Sequence, residues 1–358
     1  SAQVTDIIYD IAVAPNGVVW AGAERGASAF DGRTWRNFTP ADGLAAALVW
    51  QVAPAPDGTV WFSTHGGGVS RFDPFSGRWT TFTAPDSFPL ANARKLVIGP
   101  DGLPWVHIGY DNVYRFDGRQ WALAYAAGGG QWVCDLAFDG GGAPWIATCD
   151  GWHAHGGGLV YQDGGHWRAI TVADGLVADD LTALALRPDG VIAVGSRQGI
   201  SVRQDGRWRT LRSGPTLAAV TGVAVAADGV AWFAFGDDHG QAAGGGLAAF
   251  DGRRWRYVTR ADGLPVPDNV RVLTRAPDGS LWAGGGCQLA RLREERWEIM
   301  AACDPLDGNI RQLAFAPDGA VWFASEWNLF RLSGGALTRY EQQLPLALTV
   351  AADGAAWV

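Results

Sequence analysis

The chain has 358 residues, 18% of them charged and 48% hydrophobic, with 50 glycines and a formal net charge of −8. No cluster of Lys and Arg appears, which excludes a nucleic-acid footprint, and no run approaches the roughly 20 apolar residues of a membrane span. So much glycine suits short strands joined by tight turns and leaves little material for long amphipathic helices.

The chain opens at Ser1 without an initiator Met, as expected of a processed or trimmed boundary. From there one order recurs: an alternating apolar strand, a tight turn, a Trp-bearing strand, a Gly-rich stretch, a third strand, a polar turn and a second Trp-bearing strand. The first turn reads Asn16-Gly17, Asp57-Gly58 and Asp101-Gly102, then Gly140-Gly141-Gly142 in the fourth repeat. It continues as Asp189-Gly190, Asp228-Gly229, Asp278-Gly279, Asp318-Gly319 and Asp353-Gly354. Asn-Gly and Asp-Gly between alternating apolar residues signal type I′ hairpins, with positive φ at both central residues.

Behind that turn stand Trp20, Trp61, Trp105, Trp145, Trp232, Trp282, Trp322 and Trp357, with Ala193 substituting once. The second turn recurs as Asp31-Gly32, Asp117-Gly118, Asp205-Gly206 and Asp251-Gly252, followed by Trp35, Trp79, Trp121, Trp167, Trp208, Trp255 and Trp297. Four short strands within 35 to 50 residues make one propeller blade. The expected fold is therefore all-β, a single β-propeller over residues 1-358. Its repeats span about 1-42, 43-86, 87-127, 128-174, 175-214, 215-262, 263-303 and 304-343, with a partial one at 344-358. Because an apolar hairpin carrying Leu346, Leu348, Val350 and Trp357 is costly to leave exposed, nine blade positions are expected, with eight as the alternative.

Three repeats are preceded by a shared motif: Thr39-Pro40-Ala41-Asp42-Gly43-Leu44, Thr171-Val172-Ala173-Asp174-Gly175-Leu176 and Thr259-Arg260-Ala261-Asp262-Gly263-Leu264. With the Asp-Gly turn and Leu281-Trp282-Ala283-Gly284, this resembles the two-component regulator propeller repeat over nearly the whole chain. That resemblance implies an extracytoplasmic sensory or ligand-binding module, often for carbohydrate. Trp61-Phe62-Ser63-Thr64-His65 and Trp232-Phe233 are similar to strands of streptogramin lyases, but the catalytic His with a nearby Glu-x-His of that family is not found here.

In a four-stranded meander the 1–2 and 3–4 turns share one face, while the 2–3 loops and blade-to-blade linkers share the other. The long, variable segments, Cys149 to Gly158 and Gly236 to Gly246, fall on this second, loop face, where binding residues are expected. The turn face offers short regular turns and no deep pocket is expected there. Fifteen tryptophans occupy the repeating anchors; Trp50, Trp132, Trp152 and Trp327 do not. These four map to the loop face, as stacking platforms for sugar rings or as plugs between uneven blades. Seven residues before each first turn stand Tyr9, Trp50, Arg94, Cys134, Thr182, Thr221, Arg271 and Arg311. Arg94, Arg271 and Arg311 suit an anionic or carboxylate-bearing ligand at a channel mouth, or else pair with Asp10, Asp135 or Glu326. The expected ligand-binding set is thus Tyr9, Trp50, Arg94, Trp132, Arg271, Arg311, Trp327 and Trp152.

His65, His107, His153, His155 and His239 map to the loop face too, and Asp237-Asp238 lies beside His239. His153 and His155 near Asp150 are the weak metal candidates, without a third ligand of telling spacing; no cofactor is expected. A two-residue turn at Gly141-Gly142 would set Cys134 directly opposite Cys149, within disulfide reach, and Cys287 and Cys303 could form a second bridge. Both imply an oxidising compartment, extracellular or periplasmic.

Three functions stay open. The first is a non-catalytic ligand-binding or sensory propeller for a glycan or another small polar ligand. The second is a structural or protein-interaction scaffold with a protein partner, and the third is a lyase-like enzyme at the channel mouth. Neither a nucleic-acid partner nor membrane insertion is expected.

Overall fold

In the first turn of blade 1, Gly17 N–H donates to the Ala14 carbonyl and Ala14 N–H to the Val18 carbonyl. The same pair of bonds recurs at Ala55–Thr59, Gly99–Leu103, Asp139–Ala143, Ala226–Val230, Ala276–Ser280 and Ala316–Ala320. Only the glycine takes positive φ, as at Gly17 (82°) and Gly58 (85°). These are therefore three-residue loops, a type I turn ending in a left-handed glycine, and not the type I′ turns expected from sequence. The residue before the glycine acts through its side chain, which receives a main-chain N–H two residues on, as Asp57 does from Thr59 and Asp278 from Ser280. Asn and Asp recur there because they close this local ring.

The computed structural model describes residues 8–31, 33–83, 93–150, 156–186, 190–204, 206–212, 219–226, 228–236, 246–266, 269–304, 307–341, 348–350 and 356–357. Within them the turns join strands into eight four-stranded antiparallel sheets, each ordered first to fourth strand, which are the blades of an all-β β-propeller. Blade 1 runs Ile8–Val13, Val19–Ala23, Gly26–Phe30 and Trp35–Phe38. The count is eight and not the preferred nine. Thr349–Val350 pairs only with Ala356–Trp357, a two-stranded sheet set against the first strand of blade 1. A segment holding two strands cannot supply the third and fourth that complete a blade. Leu346 and the turn at Asp353 lie outside the described residues. No described helix is long and apolar enough to cross a membrane.

Blades 1 to 3 with the terminal pair form one compact unit; blades 4 to 7 and most of blade 8 form another. In each unit the first strands of successive blades pack side by side. The second strands are buried along their whole length, as in Val60–Thr64 and Leu281–Gly285. Large anchors fill the space between blades. Trp20 of blade 1 meets Phe62 and Phe72 of blade 2 at 5.4 Å, and Trp282 of blade 7 meets Phe315 of blade 8 at 5.9 Å. Polar ties add to this: Val52 N–H donates to Asp10, Leu96 N–H to Gln51 and Leu184 N–H to Asp135, each linking one blade to the next.

The Thr-x-Ala-Asp-Gly-Leu motif is a capped turn between blades. Pro40–Asp42, Val172–Asp174 and Arg260–Asp262 are single 3-10 turns. In each, the Asp carboxylate accepts the N–H and hydroxyl of the Thr that precedes the turn. Gly43, at φ 116°, then lets the chain reverse and delivers Leu44 into the core.

Many turn carboxylates sit below their usual range. Backbone N–H donors do this to Asp31, Asp42, Asp117 and Asp251. A lowered folded value gives stability that is present above the unfolded value, about 3.9, and lost as pH falls through the folded value. Asp10 runs the other way: burial pushes its carboxyl up against the N–H bonds from Val52 and Ile11. The lowered group is the larger one, so urea unfolding midpoints should fall steadily from about pH 5 to about pH 3. Trp282→Ala should cost about 3–5 kcal/mol in the same assay at neutral pH, by opening a cavity under the first turn of blade 7.

Candidate loop-face ligand site

In blades 1 to 7 the first strand departs from regular pairing at one residue. In blade 1, Ile8 pairs with Ala23 and Asp10 with Gly22, which leaves Tyr9 out of register. The same shift leaves out Trp50, Arg94, Cys134, Thr182, Thr221 and Arg271. Arg311, in blade 8, comes just before strand Gln312–Phe315 and donates its N–H to Ala324 O at 2.8 Å. These are the eight positions found by counting back from the first turn. A β-bulge releases a side chain from the pleat and re-aims it, so this one position per blade is free to vary in chemistry while the ladder around it stays constant.

In the unit of blades 1 to 3, the Tyr9 and Trp50 rings meet edge to face at 4.9 Å, and Trp50 meets exposed His65 at 5.9 Å. The Trp50 indole N–H is buried without a hydrogen-bond partner. Arg94 lies 4.5 Å over the Tyr110 ring and donates to its hydroxyl at 3.0 Å. It forms no ion pair with a described carboxylate. His107, on the neighbouring strand, is buried. That burial, joined by the charges of Arg94 and Lys95, pushes its pKa below the usual histidine range.

In the other unit, Arg311 and bulged Arg271 converge on one carboxylate. Glu326 Oε1 receives Arg311 Nη2 at 3.1 Å and Asn309 Nδ2 at 3.2 Å, and lies 3.9 Å from Arg271 Nη1. Partial burial raises the Glu326 pKa, but the bonds from Asn309 and Arg311 outweigh it and hold the carboxyl below its usual range. Trp327 follows directly, half exposed. The loop carrying both is fixed from below: Ser325 Oγ receives the Asn328 N–H, and Asn328 Nδ2 donates to buried Asp307 at 2.7 Å. Asp307 also pairs with Arg339 at 2.8 Å. Two guanidinium groups thus meet one carboxylate beside an exposed indole face. That combination can hold a carboxylate-bearing sugar, by bidentate contact and by ring stacking.

Both disulfides are present, Cys134–Cys149 with Cα atoms 5.8 Å apart and Cys287–Cys303 at 5.2 Å. The register that suggested the first bridge is different, however. Cys149 stands opposite Trp132, and Cys134 is the bulged residue, so the bridge runs diagonally. A three-residue turn in place of two, followed by the bulge, accounts for the offset. Asp307 approaches the second pair closely enough to share a metal ion, but sulfurs joined in a disulfide offer no thiolate ligand. Trp152, His153, His155, Asp237-Asp238 and His239 lie outside the described residues.

Sequence reasoning found Arg271, Arg311 and Trp327 and named Glu326 as a pairing partner. Asn309 and Asp307 were missed, since they come from the linker between blades 7 and 8, where no repeat marks them. Tyr110 was missed because it lies in the loop between the second and third strands of blade 3, where the repeats vary.

No family model and no curated protein sequence matches this chain. Among solved structures it is similar to the extracellular domain of the hybrid two component system BT3049 from B. thetaiotaomicron, at 11% identity and TM-score 0.49, over 94% of this chain and 52% of that one. The chain thus spans about half the length of that domain. It is also similar to a streptogramin B lyase, at 14% identity and TM-score 0.48, covering 99% and 91%. The computationally designed Ika8 protein gives 15% identity and TM-score 0.53, covering 98% and 95%. At these identities the likeness is one of fold.

Proposed function

We propose that this chain is a non-catalytic ligand-binding propeller of the sensory kind, working outside the cytoplasm, and that its loop face takes a glycan or other polar ligand bearing a carboxylate. The observation that carries this reading is the cluster of Arg271, Arg311, Glu326 and Trp327. It sets two guanidinium groups and one carboxylate next to a half-exposed indole, held in place by buried Asp307 and Asn328, with Arg339 paired to Asp307. Neither Arg311 nor Trp327 belongs to the repeating anchors, so packing alone gives no reason for either.

A glycan array that includes uronic and sialic acids tests the ligand class. Binding should concentrate on acidic glycans, and Arg311→Ala or Trp327→Ala should each weaken it about tenfold or more. Trp327→Ala should leave stability within about 0.5 kcal/mol of the parent, as for ordinary surface substitutions, and Arg311→Ala, which removes a partner of Glu326, should cost no more than about 1 kcal/mol. Equal binding of neutral and acidic glycans, or unchanged binding by both variants, would remove the reading.

Placement outside the cytoplasm rests on the two disulfides, which persist in oxidising compartments. Protein purified without reductant from the native compartment should show no alkylatable thiol, and four after denaturing reduction. Four alkylatable thiols before reduction would place its maturation in the cytoplasm.

A further inference from the structure

On the turn face, three blades repeat one arrangement. The residue paired with the anchor Trp across the second and third strands is an arginine: Arg71 opposite Trp61, Arg115 opposite Trp105, Arg291 opposite Trp282. Each guanidinium lies 5.5 to 5.7 Å from its indole centroid. Each also reaches the carboxylate of its own first turn: Asp57 at 3.4 Å, Asp101 at 2.7 Å and Asp278 at 2.7 Å. Blade 4 fills the same place differently, with Tyr161 stacked on Trp145 at 4.6 Å and Asp139 receiving the indole N–H at 3.0 Å.

Blade 6 keeps the carboxylate and the indole, but the guanidinium over its indole comes from the fourth strand and leaves the turn carboxylate unpaired. Ala249 stands opposite Trp232. Asp228 is exposed, receives the Val230 N–H on one oxygen, and has no ion-pair partner among the described residues. A groove of about 310 Å³ opens at this place, walled by Asp228, Trp232, Ala249, Trp255, Arg256 and Glu295, with Asp251 and Arg254 also on its lining. This groove lies on the turn face, where Ala249 stands at the position that an arginine fills in the three other blades. Arg256 reaches over Trp232 from the fourth strand at 5.5 Å, but its charge is turned to Glu295, 3.8 Å away.

The rim adds negative charge at a conformational cost. Glu294 (φ 45°) and Glu295 (φ 67°) are the only non-glycine residues with positive φ among those described. Blades 4 and 8 build the equivalent turn from Gly164-Gly165 and Gly334-Gly335. Carboxylates held where glycine is favoured point to use rather than packing. The lining carries three carboxylates (Asp228, Asp251, Glu295) against two guanidinium groups (Arg254, Arg256).

We propose that this groove binds an arginine side chain of a partner polypeptide, whose guanidinium pairs with Asp228 as Arg71, Arg115 and Arg291 pair with the turn carboxylates of their own blades. The site is independent of the loop-face cluster and stands or falls without it. Exposed Asp228, free of an ion pair among the described residues, and the excess of carboxylates on the lining call for a cation, and in three other blades the partner of that turn carboxylate is arginine and not lysine.

The test titrates the intact chain with N-acetyl-arginine amide while the Trp232 indole N–H resonance is followed by NMR. N-acetyl-lysine amide, N-acetyl-citrulline amide and free arginine are the comparators. The blocked arginine should give a saturable shift in roughly the millimolar range or tighter, with lysine weaker and citrulline silent. Asp228→Asn, an exposed change that keeps the turn acceptor, should weaken binding about tenfold. Ala249→Arg should abolish it by supplying the side chain from within. An equal response to citrulline, or arginine binding unaltered in Asp228→Asn, overturns the proposal. Free arginine binding at least about tenfold better than the blocked amide overturns the polypeptide source in favour of a small metabolite.

Discussion

The second strand of every blade is buried on both faces, and the rest of the structure follows from that constraint. A strand so enclosed reads as a continuous apolar or small-residue run instead of an alternating one. Its large member, usually Trp, projects to one side, and small residues must then admit the adjoining blade on the other. At Gly22 a Cβ would lie 2.6 Å from Val49 of the next blade, at Gly195 2.5 Å from Val220, and at Gly284 3.0 Å from Ile310. The aliphatic residue that fills each notch immediately precedes the bulged position, except at Ile310, which precedes Arg311. Blade-to-blade packing and the release of one variable side chain are therefore neighbours on the same strand.

That adjacency explains how much of the site was legible in the sequence. Counting back from the Asp-Gly turn locates the variable residue in all eight blades, because the number of residues between bulge and turn is constant. The bulge itself leaves no mark: an extra residue between Val49 and Gln51 does not disturb the apolar spacing nearer the turn. The same blindness produced the right disulfide from the wrong register. Cys134 and Cys149 were read as direct partners, when a one-residue error in the turn and the one-residue bulge bring them together diagonally.

Turn chemistry misled for a related reason. Asp-Gly is compatible with a type I′ turn and with a type I turn closed by a left-handed glycine. Both keep the glycine at positive φ, and they differ only at the Asp. The structure resolves the choice through the Asp side chain, which receives a local N–H while its own backbone stays at negative φ. The eight-blade count was open in sequence as well, since Thr349–Val350 and Ala356–Trp357 read as the start of a repeat and end as a two-stranded sheet.

What a repeat protein can show that a unique fold cannot is the meaning of a departure. Arg71, Arg115 and Arg291 each satisfy a turn carboxylate and cover an indole, so the arrangement has a use in stability that any blade would gain by keeping. Ala249 gives that up while Asp228 and Trp232 remain. Loss of the cation and the carboxylate together would be drift within the repeat, as blade 1 shows, where Ala29 faces Trp20 and the turn residue is the neutral Asn16. Keeping the carboxylate and dropping only the arginine that pairs with it leaves an exposed charge at the mouth of a groove, with strained glutamates on the rim. The selective loss, more than the cavity itself, separates a binding groove from a packing defect. The signal lies in the sequence, in the residue paired with each anchor Trp. It becomes readable only when the second and third strands are set in register, because the loop between them varies in length from blade to blade.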